Sequence, residues 1–120
     1  MINLLAVFIG GGLGSLARFS ISLFLYARIK TVFPIATLLS NLLSVGAMTI
    51  AILLFNKQLS LNATMRLLII TGFCGGFSTF SAFSYETASL IRSGNTAIAL
   101  ANILINIGFC IGIMLYVAKN

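Results

Sequence analysis

Apolar residues fill this chain in four long stretches separated by short polar junctions. The first runs from about residue 2 to residue 26, and Arg28-Ile29-Lys30 closes it. Its opening, Met1-Ile2-Asn3-Leu4-Leu5, lacks the positive region of a signal peptide, so it reads as part of the first span. The second begins at Pro34, a residue suited to the first turn of a helix, and reaches Phe55. The polar stretch Asn56-Lys57-Gln58-Leu59-Ser60-Leu61-Asn62 follows. The third runs from about Met65 to Ile91 and ends at Arg92-Ser93-Gly94-Asn95. The fourth runs from Thr96 to Val117, leaving Ala118-Lys119-Asn120 as a tail. A helix needs about 20 apolar residues to cross the hydrocarbon core, and each stretch is long enough. The pattern predicts an all-α membrane protein, a single domain over 1-120 with transmembrane helices at about 2-26, 34-55, 65-91 and 96-117.

Within the third stretch, Thr71-Gly72-Phe73-Cys74-Gly75-Gly76-Phe77-Ser78-Thr79-Phe80-Ser81-Ala82-Phe83-Ser84-Tyr85-Glu86 departs from a simple apolar run. Glycine weakens a helix by about 1 kcal/mol relative to alanine, and hydroxyls at membrane depth need partners. Irregular or polar backbone is tolerated there only when buried in protein or lining a water-filled cavity. The segment is therefore expected to break the third helix in mid-membrane and to build a pore.

All four stretches carry small residues four apart: Gly10 and Gly14, Ser40 and Ser44, Gly72 and Gly76, Gly108 and Gly112. Such pairs share a helix face and let backbones approach closely in lipid. They predict a compact bundle.

Composition agrees with the pattern. Of 120 residues, 60% are hydrophobic and 7% charged, against about a quarter charged in soluble domains, and the mean hydropathy is +1.16. The net charge of +6 comes from scattered cations, not from a cluster of the kind that binds nucleic acid. Counted by face, Lys57, Arg66 and Lys119 oppose Arg28, Lys30 and Arg92, which leaves the positive-inside rule without a preference. Dual topology is the expected consequence, with copies inserted both ways pairing as an antiparallel dimer.

Enzymatic chemistry has little footing. The chain has no His and one acidic residue, Glu86, which removes most acid–base and metal constellations. The glycines at 10–14 follow no strand and lack the dinucleotide spacing. Cys74 and Cys110 lie in apolar runs and read as small core residues.

The informative residues are polar ones inside spans, which are costly and usually functional. Thr37, Asn41 and Ser44 share one face of the second span. Asn102, Asn106 and Cys110 form a stripe at spacing four on the fourth. Thr79, Phe80, Ser81, Phe83 and Ser84 supply a third wall. Isolated, such residues merely glue helices, at about 0.6 kcal/mol per bond on average. Together, their amide and hydroxyl donors and the positive edges of the Phe rings, with no ring of carboxylates, suit a narrow pore for a small anion. Arg18 is the fixed cation expected near membrane depth, either at an anion vestibule or as a brace for the bundle.

Gly11-Gly12-Leu13-Gly14-Ser15-Leu16-Ala17-Arg18-Phe19, the stretch from Thr37 to Asn41, and Gly75-Gly76-Phe77-Ser78-Thr79-Phe80-Ser81-Ala82-Phe83-Ser84 together resemble the Fluc (CrcB) family of fluoride channels. The resemblance covers all four spans in order. It implies an antiparallel, dual-topology homodimer in the cell membrane, while departures at a few positions leave open a heterodimer with a paralogue. It further implies two fluoride pores at the subunit interface and passive efflux that relieves fluoride toxicity. By position, Phe80 and Phe83 resemble the family's ion-contacting phenylalanine pair, and Asn41 its asparagine near a pore entrance. Asn106 and Cys110 fall on its polar track. Gly75 and Ser78 resemble the site where backbone carbonyls of both subunits hold a structural sodium ion (Na+). The chain departs from the family at Ala36, Ala82 and Cys110, where Gly, Thr and a Ser-type residue are common. The competing readings are a proton-coupled exporter of the small multidrug type, which needs an embedded carboxylate absent from the first span, and a packing subunit without transport.

Overall fold

The computed structural model describes residues 1–57 and 62–119, and helix is the regular secondary structure throughout them. Helix α1 covers Ile2–Arg28 and α2 covers Ile35–Lys57. Helix α3, Ala63–Arg66, continues through a π-helical segment, Leu67–Cys74, into the short α4, Gly75–Phe77. Helix α5 covers Phe80–Arg92 and α6 covers Thr96–Lys119. Four stretches are long and apolar enough to cross a membrane: Ile2–Arg28, Ile35–Lys57, Ala63–Arg92 and Thr96–Lys119. Most ends run a residue or two past the apolar pattern, because helices continue into their first charged residues. Of the polar stretch after α2 and the C-terminal tail, residues 58–61 and Asn120 lie outside the described residues.

The junctions follow local chemistry. Asn62 caps α3, its side-chain oxygen accepting from the Met65 amide at 2.9 Å, a strongly preferred N-cap arrangement. Gly94 ends α5 with φ at 87°, a left-handed conformation open to glycine without steric cost. The Asn95 amide then returns to Leu90 O and the Gly94 amide to Ile91 O, the paired bonds of a Schellman ending. With Asn95 O accepting from Ala99 N at the start of α6, the chain reverses within a few residues. Helices α5 and α6 are thus antiparallel neighbours.

Backbone contact dominates the packing of α1. A Cβ on Gly10 would collide with Leu68 O, one on Gly14 with Phe73 O, and one on Gly76 with Gly11 O. These glycines bring α1 against the third span with almost no side chain between them, as small-residue pairs do in lipid. Gly108 and Gly112 behave differently. A Cβ on either would meet nothing within 4 Å, so this pair opens outward from α6 and does not pack inside the protomer.

Inside the bundle the most deeply buried positions are small or polar. Ala36, Ser40, Cys74 and Asn102 are fully buried, and Ser44 and Asn106 nearly so. Large apolar side chains such as Leu4, Phe8, Leu23, Leu104 and Leu115 face outward. That inversion is what a bilayer solvent allows, since Leu is as comfortable against lipid tails as inside the protein.

Candidate functional site

Helical geometry lapses at two residues in the third span. Ser78 has φ −83° and ψ 159°, and Thr79 has φ −152° and ψ 124°. Helix α5 restarts at Phe80, capped by the Thr79 hydroxyl, which accepts from the Ala82 amide at 3.2 Å. The Thr79 amide donates to Asn41 Oδ1 on α2 at 2.9 Å. On the other side of the interruption, Cys74 O accepts from the Ser78 amide at 3.1 Å, the Ser78 hydroxyl at 3.1 Å and the Ser44 hydroxyl at 2.7 Å. Amides freed from a helical ladder need other partners, and Asn41 and Thr79 supply them here.

Two carbonyls are affected by this rerouting. In an unbroken helix the Thr79 amide would bond Gly75 O and the Ala82 amide would bond Ser78 O. Both amides are instead taken by side-chain oxygens.

Beside the interruption lies a cleft of about 330 Å³. It gathers Asn41 of α2, Ser78 and Thr79 of the interruption, and Phe80 and Phe83 of α5. Asn106 and Cys110 of α6 complete the polar wall, and Val45, Ile107 and Ile111 line the rest. The Phe80 and Phe83 ring centroids are 5.7 Å apart with planes tilted by 40°. Phe83 is buried, whereas Phe80 is 75% exposed on the protomer surface.

Ser81 and Ser84, read from the sequence as part of the same wall, do not line this cleft. Each helical residue turns about 100°, so with Phe80 and Phe83 directed to the cleft, Ser81 and Ser84 sit on an adjacent, exposed face. The Ser81 hydroxyl keeps a link to the site through Thr79 Oγ1 at 3.3 Å. Arg18 on α1 is also away from the cleft. It is half-buried, and its Nε is buried without a hydrogen-bond partner among the described residues. Ala36 is fully buried, and Ala82 contributes its backbone to the α5 cap.

Behind the cleft runs a ladder of amides. Asn41 Nδ2 donates to Asn106 Oδ1 at 2.9 Å, and Asn106 Nδ2 to Asn102 Oδ1 at 3.2 Å. Asn102 Nδ2 donates to Thr87 Oγ1 at 2.9 Å, and the Thr87 hydroxyl to Phe83 O at 2.7 Å. Sequence reasoning placed Asn102 on a polar stripe but missed Thr87. A lone Thr one turn after Phe83 carries no signal until its partner on α6 is known. Glu86 Oε1 accepts from the Thr37 hydroxyl at 2.8 Å, tying that carboxylate to α2.

The site thus gathers amide and hydroxyl groups and two phenylalanine rings around a cleft whose lining has no carboxylate. Such a lining suits an anion.

The chain matches a family model described as CrcB-like protein, Camphor Resistance (CrcB), over residues 5–118. A protein of Serratia proteamaculans named "Fluoride-specific ion channel FluC" is 46% identical over 105 residues, covering 88% of this chain and 82% of that protein. One of Yersinia pseudotuberculosis named "Fluoride-specific ion channel FluC 1" is 43% identical over the same shares. A "Fluoride-specific ion channel FluC" of Salmonella arizonae is 43% identical over 104 residues, 87% of this chain and 81% of its own length. With four apolar helices, a cleft of donors and a family match along nearly its whole length, this multi-pass membrane protein belongs to the CrcB-like family.

Proposed function

We propose that the chain is a fluoride channel of the cell membrane that lets fluoride leave passively and so lowers its toxicity in the cytoplasm. The observation that carries this reading is the cleft itself. Asn41, Ser78, Thr79 and Asn106 surround it with donors, and Phe80 and Phe83 meet it side by side. Fluoride is small and strongly hydrated, so a pathway must return what its water shell supplied. A hydrogen bond to a charged group contributes about 1.5–3 kcal/mol, and several in sequence offset a large part of that cost. The ring edges add positive potential without a fixed cation that would trap the ion.

The working unit is an antiparallel homodimer of dual topology. Support comes from what one protomer leaves uncovered: Thr71, Gly75, Ser81 and Ser84 of the third span are exposed, as is Phe80. Polar groups facing lipid are disfavoured, and a second copy over this face removes them from it. Pairing would also close the open side of the cleft.

The same break suits a sodium ion at the dimer centre. The Gly75 and Ser78 carbonyls have both lost their helical donors to side chains, as the Thr79 and Ala82 bonds indicate. Unwound carbonyls are hard oxygen donors suited to Na+. When bound, the ion would neutralise converging carbonyl dipoles and pin the two third spans together.

Reconstituted liposomes loaded with fluoride and read by a fluoride electrode test the proposal. Rapid efflux that continues when a protonophore collapses the proton gradient is expected. Efflux that stops with the gradient would indicate a proton-coupled exporter. No efflux would leave only a packing role.

A further inference from the structure

We infer that Asn102 and Thr87 are positioning residues for conduction, anchoring from the Phe83 end a hydrogen-bond relay that holds the amide of Asn106 toward an anion. The inference rests on the reading of the cleft as a fluoride pathway. Neither residue lines that cleft; Asn102 is 0% and Thr87 7% exposed.

The relay begins and ends on backbone atoms that have only one sense. At one end the Thr79 N–H can only donate, and it meets Asn41 Oδ1. At the other the Phe83 carbonyl can only accept, and it takes the single hydrogen of the Thr87 hydroxyl. Thr87 Oγ1 has then no hydrogen left to give and must accept from Asn102 Nδ2. That places Asn102 Oδ1 toward Asn106, which answers with its Nδ2. Asn106 Oδ1 is thereby turned to Asn41 Nδ2. Each amide, taken alone, accepts either of two flipped orientations. Between these two ends, all three are determined.

The consequence is selective. All three amide oxygens, which would repel an anion, are occupied by N–H donors within the relay. Each NH2 group carries a second hydrogen. That of Asn106, a residue of the cleft wall, remains available to the ion. Without Asn102, the Asn106 Nδ2 loses its acceptor, and the amide is held from the Asn41 side alone. The Thr79 and Phe83 ends also bracket Phe80, so the relay braces the turn that carries both rings.

Asn102→Leu removes the amide while keeping the branching of the side chain, and Thr87→Val removes the hydroxyl without changing shape. Fluoride efflux per folded dimer, together with fluoride-over-chloride discrimination, is measured for each and for Asn106→Leu alone and combined with Asn102→Leu. Asn102→Leu is expected to slow fluoride efflux about tenfold, the effect of one lost hydrogen bond to a charged group, and to lower the discrimination. Thr87→Val moves both in the same direction, and serves alone if Asn102→Leu does not fold. In the Asn106→Leu background, Asn102→Leu adds no further loss. Wild-type efflux and discrimination in folded Thr87→Val or Asn102→Leu would overturn the inference, as would additive losses in the double variant. A wild-type chain that conducts no fluoride overturns the channel reading and this inference with it. Conducting wild type with conducting variants overturns the relay alone.

Discussion

The Thr37 hydroxyl donates to Glu86 Oε1 over 2.8 Å, joining α2 to α5 across 49 residues of sequence. Glu86 is the chain's one acidic residue, and its Oε2 is buried without a hydrogen-bond partner among the described residues. Thr37→Val keeps the side-chain shape and leaves the carboxylate unsupported at both oxygens. A loss of about 1–3 kcal/mol is expected, the cost of stranding a buried polar group. Thermal unfolding in detergent checks it: Thr37→Val melts earlier, whereas Glu86→Gln, which still accepts from Thr37, stays near wild type. Equal melting of Thr37→Val and wild type would remove this bond from the account of stability.

The glycine interface separates two substitutions that look alike in sequence. A Cβ at Gly14 would meet the Phe73 carbonyl, whereas one at Gly12 has open space around it. Gly14→Ala therefore forces α1 away from the third span and destabilises the bundle by about 1–3 kcal/mol or more, as overpacking does. Gly12→Ala leaves the packing unchanged and gains up to about 1 kcal/mol of helix propensity. The surviving folded fraction after a heat step, followed by size exclusion, distinguishes them, and equal survival would contradict the close backbone approach.

Conduction is expected to be most sensitive at Phe80 and Asn41. Phe80→Ile removes a ring edge from the cleft. Asn41→Asp keeps an oxygen for the Thr79 amide but loses the Nδ2 donor to Asn106. Each should slow fluoride efflux about tenfold or more, in line with one lost hydrogen bond to a charged group, while the protein still elutes as a folded dimer. Unimpaired efflux from both variants would take these residues out of the pathway.

Sodium should matter to stability even where it carries no current. Protein purified with N-methylglucamine as the only cation is expected to melt at lower temperature. Adding sodium chloride should restore the wild-type value, and an equal concentration of N-methylglucamine chloride should not. Identical melting in all three buffers would argue against a cation held by the Gly75 and Ser78 carbonyls.

Much of this molecule was readable one residue at a time. The energy of placing a segment in lipid depends mainly on its composition over about 20 residues, so the four spans stand out in the sequence. A helix repeats every 3.6 residues, so Thr37, Asn41 and Ser44 on one face, and Asn102, Asn106 and Cys110 on another, were legible as stripes. Periodicity also relates Phe80 to Phe83, but it does not say how far the helix is rotated. Only the tertiary structure decided that Ser81 and Ser84 fall outside the cleft and that Gly108 and Gly112 open outward while Gly10 and Gly14 pack. The same is true of the hydrogen bonds. Asn41 meets Asn106 across 65 residues and Thr79 across 38, and Thr87 is informative only once Asn102 stands opposite it. Insertion into the bilayer is a sum over neighbours in the chain, so sequence determined it. Donor and acceptor direction is set by which atoms meet across the bundle, and that exists only after the helices have packed.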